Sequence, residues 1–207
     1  MTIQIFRNGQ RLYVTPDERE ILLTVVASLP PLHRTFCETL IHTGCRISEV
    51  LSLTPGSIDL IAQCAVVESL KKRQRGIYRT IPLSDDFLAL MAETHGFRPN
   101  YVSAERLWPW GRTKGWTIVK AVFNHAGISV PWATPKGFRH GFAIHAIDRG
   151  VPLPLIQKWM GHSNLNMTAI YMQAVGKEER EIAKRLWAPR HSSVFHGFMK
   201  WIGMNPQ

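Results

Sequence analysis

The run from Thr134 to Tyr171, TPKGFRHGFAIHAIDRGVPLPLIQKWMGHSNLNMTAIY, constrains this chain more than any other stretch. It reads as three short helices in succession. Thr134 and Pro135 open the first, as an N-cap followed by proline at the first helical position. Phe138, Phe142, Ala146 and Ile147 recur at the spacing of one apolar helix face, and Gly150 suits the end. The second runs from Leu153 to Met160 and stops at Gly161; the third starts with Asn166 as its cap and carries Tyr171. On this scaffold stand Lys136, Arg139, His162 and Tyr171: two cations, an imidazole and a phenol.

A tyrosine that cleaves a phosphodiester needs such company. A phenol with a pKa near ~10 is a poor nucleophile at neutral pH. Cations around the phosphate stabilise both the phenolate and the charge that builds on the non-bridging oxygens. Arginine suits this best, because its planar fork grips two phosphate oxygens and never loses its charge.

The rest of the chain is consistent with a polyanionic partner. Net charge is +10 and the pI about 10.0. A length of 207 residues with 45% hydrophobic content supports one sizeable core. Cys37, Cys45 and Cys64 show no C-x-x-C spacing, so neither a disulfide framework nor a zinc site is expected. The sequence has no signal peptide and no apolar run of about 18 residues, so the expected setting is the cytoplasm, away from membranes.

In chain order, residues 1–14 look like two short strands around Asn8-Gly9. Thr15-Pro16-Asp17-Glu18 is a capping box that opens a helix to Leu29, and Pro30-Pro31 breaks it. A second helix, Leu32 to Thr43, ends at Gly44; beyond Arg46, residues Ile47, Val50, Leu51 and Leu53 keep helical spacing. Cys64 to Leu70 and Ile77 to Leu83 read as paired strands. The turn between them, Lys71-Lys72-Arg73-Gln74-Arg75-Gly76, carries four cations. Strand alternation sets Lys71 and Lys72 on opposite faces. Helices follow at Ser84 to Thr94 and Thr117 to Ala126, with an irregular stretch between them whose Trp108 and Trp110 serve as core or loop anchors. Lys177 to Trp187 reads as a solvated helix, and Phe195, Phe198 and Trp201 give the tail an amphipathic pattern. The expected architecture is mostly α with a small antiparallel β-sheet, an α+β fold. It forms a single domain over residues 1–190, with a short hairpin at 1–14 and a tail at 191–207.

The central stretch resembles the C-terminal motif of the tyrosine recombinase (phage integrase) family: H/K-x-x-R-H-x-F-A, then L-G-H-S, then the nucleophilic tyrosine nine residues after that histidine. Lys136-Gly137-Phe138-Arg139-His140-Gly141-Phe142-Ala143, Met160-Gly161-His162-Ser163 and Tyr171 match in order and spacing. The first position is usually histidine and here is Lys136. Upstream, Thr43-Gly44-Cys45-Arg46-Ile47-Ser48-Glu49-Val50-Leu51 is similar to the family's first arginine motif, T-G-x-R-x-S-E-x-L. The resemblance spans about Thr15 to Trp187.

That resemblance implies the family's catalytic-domain fold and a site-specific DNA recombinase acting through a covalent 3′-phosphotyrosyl intermediate, for integration, excision or resolution. Arg46 and Arg139 would clamp the phosphate and Tyr171 attack it. Lys136 and His162 would assist proton transfer and hydrogen bonding, while Glu49 orients Arg46 and His140 stands with it behind the reacting groups. In the family the two-strand element carries the lysine that protonates the leaving 5′ oxygen. Here that is Lys71 or Lys72, with Lys71 preferred as the first to leave the strand, and Arg73 and Arg75 serve as phosphate contacts. Neither metal nor other cofactor is expected. The implied partners are double-stranded DNA, further copies of the chain assembled on it as dimer or tetramer, and an accessory DNA-binding protein. The family's usual N-terminal domain has no counterpart in the sequence, as in a minimal member or a fragment. Two rivals are a DNA-binding regulator using Ile144 to Gln173 as a helix-turn-helix, and a relaxing enzyme of type IB topoisomerase chemistry.

Overall fold

A computed structural model describes residues 6–7, 10–70, 76–97, 103–174 and 184. Strands β1 (Phe6–Arg7) and β2 (Gln10–Arg11) pair antiparallel, and the Asn8-Gly9 tip lies outside the described residues. Helix α1 (Pro16–Ala27) begins at the expected capping box: Thr15 Oγ1 accepts the Glu18 N–H at 3.2 Å, and Glu18 accepts the Thr15 N–H at 3.0 Å. The Glu18 carboxylate also receives both Arg11 Nη atoms, at 2.9 and 2.5 Å, which ties β2 to the helix. α1 ends two residues before the expected Leu29, because the Ser28 N–H already turns back to Val25.

Helix α2 (Pro31–Thr43) is the centre of the main core, packing against α1, α4 (Asp85–His95), α5 (Arg112–His125) and α6 (Pro135–Asp148). Even its threonines are buried, since Thr39 and Thr43 satisfy their hydroxyls on carbonyls one turn back, at 2.7 and 2.6 Å. Trp108 is fully buried edge-on to Phe36 at 5.6 Å and donates its indole N–H to Thr35 Oγ1, as expected of a core anchor. α5 starts at Arg112, before the expected Thr117. Gly115, inside the added turn, lets α5 approach closely: a Cβ there would meet the Phe36 ring at 2.8 Å.

The sheet has three strands where the sequence reading gave two. β3 (Ile58–Asp59), β4 (Cys64–Glu68) and β5 (Tyr78–Pro82) pair antiparallel in that order. β3 is short and held by Asp59, whose side chain accepts the N–H groups of Ile61 and Ala62. Val67 faces Arg79 and Ala65 faces Ile81 in register. Burial along β5 alternates so that Arg79 and Ile81 share the inner face.

α7 (Leu153–Met160) has the expected bounds. α8 (Asn166–Ala169) follows and passes into a 3₁₀ turn, Ile170–Ala174. Asn166 is the first residue of α8 rather than its cap; the cap-like bond comes from Asn164, whose Oδ1 accepts the Met167 N–H at 3.0 Å. A second apolar cluster joins Tyr13, Ala143, Ile144, Ala146, Ile156, Met160 and Tyr171. Residues 1–174 form one compact unit and 175–207 another, of which Lys184 alone is described. The helix expected at Lys177 to Trp187 and the 191–207 tail therefore lie outside the described residues, Lys184 apart. No helix among the described residues is long and apolar enough to cross a membrane.

Candidate active site

Gly44 ends α2 in the left-handed region, φ +60°, with its N–H on Leu40 O. The turn delivers Arg46 to the cap position of the short helix α3 (Ile47–Val50). There Glu49, with 0% exposure, accepts Arg46 Nη1 on Oε1 at 2.8 Å and the Arg46 N–H on Oε2 at 3.0 Å. Burial by itself would raise the pKa of Glu49, but Arg79 and Arg46 outweigh it and hold the carboxyl below its usual range.

Arg139, on α6, reaches main-chain carbonyls on two other segments: Nη1 donates to Gly44 O at 2.7 Å and Nη2 to Met160 O at 2.6 Å. Burial, with Arg46 close by, lowers its pKa to about 10, which still leaves it charged at neutral pH. Left-handed Gly161 ends α7 and turns the chain into His162. His162 Nδ1 pairs with Thr168 Oγ1 at 2.8 Å, while its buried Nε2 has no partner among the described residues. Burial, then Arg139 and Arg46, lower its pKa to about 3, so the ring is neutral.

Tyr171, with 0% exposure, lies nearly parallel to the His162 ring, centroids 6.2 Å apart and planes 14° from each other. Its hydroxyl pairs with His140 Nδ1 at 2.8 Å. Burial raises the phenol to about 12, against the opposing pull of Arg139 and Arg46. His140 is held neutral at about 3 by burial, with Lys136 and Arg139 adding to the effect, and its buried Nε2 also lacks a partner among the described residues.

Arg46, Arg139, His162, Tyr171, Glu49 and His140 are thus brought together. Lys136 is exposed in the first turn of α6, near enough to act on His140. It lines a cleft of about 370 Å³ with Gln10, Leu12, Pro131, Trp132 and Thr134. Lys71, Lys72, Arg73 and Arg75 lie outside the described residues. Sequence reasoning missed Arg79, which is buried and bonded to Glu49. The signal was available: continuing the inward alternation back from Ile81 lands on a charged residue at a core-facing position. Three guanidiniums, Arg46, Arg79 and Arg139, against the one Glu49 carboxylate leave two positive charges beside neutral imidazoles and a neutral phenol. That pocket favours an anion. Among the described residues no three of His, Cys, Asp and Glu stand so as to hold a metal ion.

Comparison with known proteins identifies the family. The sequence model of the phage integrase family matches residues 13–178. The type 1 fimbriae regulatory protein FimB of Escherichia coli K12 is 31% identical over 175 residues, covering 79% of this chain and 85% of that protein. A resolvase of the same organism is 31% identical over 191 residues, covering 77% and 70%. Among solved structures, the XerH site-specific recombinase bound to its difH substrate superposes with a TM-score of 0.68 at 20% identity, covering 86% of this chain and 55% of that one.

Proposed function

The chain belongs to the phage integrase family, the site-specific tyrosine recombinases, and from that premise we propose that it breaks and rejoins double-stranded DNA through Tyr171. The observation that carries the reading is one pocket in which Arg46 and Arg139 both act on the Tyr171 phenol, beside a His162 Nε2 that has no partner among the described residues. The phenol oxygen attacks the scissile phosphorus and the bond to the 5′ oxygen breaks, leaving a 3′-phosphotyrosyl link. The phenol proton passes to solvent, and Lys71 or Lys72 gives one to the departing 5′ oxygen. Rejoining is the reverse step, so no external energy source is required. Arg46 and Arg139 stabilise the charge on the non-bridging oxygens. His162 Nδ1 shares a hydrogen bond with the Thr168 hydroxyl; in the tautomer where that hydroxyl is the donor, the ring proton sits on Nε2 and can be donated to the phosphate. In the free protein the phenol is tied to His140, so the incoming phosphate competes with that bond.

DNA as the substrate is supported by the +10 charge and by the similarly folded Tn1549 transposon integrase, whose structure is in complex with a circular intermediate DNA. Nicked suicide duplexes tiled across the DNA on both sides of the gene test the proposal. Wild-type protein is expected to become covalently attached to one of them, and Tyr171→Phe to none. An adduct formed by Tyr171→Phe rules out this nucleophile.

A further inference from the structure

We infer that Arg79 is a positioning residue for this reaction, locking the Arg46–Glu49 pair and the turn that carries His162 into one frame and sharing the Glu49 carboxylate so that the charge of Arg46 stays available to the phosphate. The inference rests on the Tyr171 chemistry proposed above.

Arg79 lies on the inner face of β5, 6% exposed, and spreads its donors over separate parts of the chain. Nη2 donates to Glu49 Oε2 at 2.7 Å and to Cys45 Sγ at 3.3 Å, Nη1 to Ser69 Oγ at 3.1 Å, and Nε to Trp159 O at 2.7 Å. Its guanidinium also packs on Gly161, where a Cβ would come within 3.2 Å of it. One side chain therefore touches the partner of Arg46 and the two residues Trp159 and Gly161 that lead into His162. A lysine, with one nitrogen, cannot span that set.

Glu49 is wholly buried, and facing Arg46 alone it would form a closed, mutually neutralising pair. Arg79 takes Oε2 while Arg46 takes Oε1, so one carboxylate serves two guanidiniums and the pocket keeps its positive excess. A residue acting only as a core strut would carry no such dependence on the charge of the substrate.

The test uses the suicide duplex that traps wild-type protein, prepared both as the ordinary phosphodiester and with a neutral methylphosphonate at the scissile position. Adduct formation is timed at saturating DNA for wild type, Arg79→Met and Arg79→Lys. On the phosphodiester Arg79→Met should be slower by on the order of 100-fold with little change in half-saturating DNA, because the loss falls on the transition state. On the methylphosphonate, which asks for less compensating charge, its deficit should shrink to within about tenfold. Arg79→Lys should fall between wild type and Arg79→Met on the phosphodiester. If Arg79→Met does not fold, the same two-substrate comparison is made with Arg79→Lys alone. An equal deficit on both substrates, or no deficit on either, overturns the inference while leaving the Tyr171 reading intact. Failure of wild type to form an adduct on any duplex overturns that reading, and this inference with it.

Discussion

Burial decides the form in which each group enters the chemistry. His140 and His162, both at about 3, stay neutral while the unfolded chain's histidines take up protons near ~6.5. Each folded pKa is depressed, so the stabilisation is fully present above about pH 6.5 and is lost as pH falls toward 3. Each group makes stability steeper by about 1.4 kcal/mol per pH unit in that window. Urea unfolding of His140→Gln should therefore show roughly 2 kcal/mol less acid loss between pH 6.5 and 5 than wild type. Equal losses would mean that His140 is charged in the folded protein. Arg46→Ala and Arg139→Ala should each slow adduct formation by on the order of 100-fold or more, since phosphate charge is left uncompensated; a normal rate in either removes its assigned role. The choice between Lys71 and Lys72 is open to chemistry: sulfur in place of the leaving oxygen needs no protonation. The alanine variant of the true acid should recover on that substrate. Recovery of Lys72→Ala alone would reverse the preference for Lys71, and recovery of neither would leave the turn as a DNA contact only.

At the level of elements, α2 and the Gly44 turn carry the site, because they aim Arg46 and supply a carbonyl to Arg139. Gly44→Ala would place a side chain in the left-handed region and drive its Cβ to within 2.4 Å of the Phe142 ring. Backbone strain of about 1–2 kcal/mol plus that clash should lower the melting temperature by about 5 °C or more and slow adduct formation. Adding Phe142→Ala should restore part of the melting loss; no restoration would mean that the contact is unimportant. As a contrast, Thr15→Ala breaks the α1 capping box far along the chain, with an expected cost of about 1 kcal/mol and no change in rate. α7 was legible to the residue because a glycine stops it in a backbone state that glycine favours. The motif residues Arg46, Arg139, His162 and Tyr171 were legible through the resemblance to the family's motifs, and the structure brings them together. The early start of α5 was hidden because Gly115 acts through a close contact with Phe36, which no local pattern reveals. For Arg79 the alternation of β5 marked a charged residue at an inward position, but only the fold supplies its partner, Glu49, 30 residues away.

For the molecule as a whole, a charge of +10 predicts how it should meet DNA. Lysine and arginine on phosphates release counterions, so about six such contacts would weaken binding roughly a thousandfold between 50 and 200 mM salt. A salt-titrated binding series on single and paired half-sites reads this directly, and tight, salt-insensitive binding by one protomer would contradict it. Repeating the series with a chain ending at Arg190 tests whether residues 191–207 link neighbouring copies, in which case pairing between half-sites should weaken. The arginines Arg79 and Arg139 carry one further consequence. Three of the bonds that aim them end on the carbonyls of Gly44, Trp159 and Met160, an acceptor that every residue type supplies. Side chains at 159 and 160 can therefore drift without removing the acceptors, and Met160→Leu should retain its cutting rate. What this wiring holds fixed is therefore the path of the backbone at 44, 159 and 160, not the identity of the side chains carried at 159 and 160.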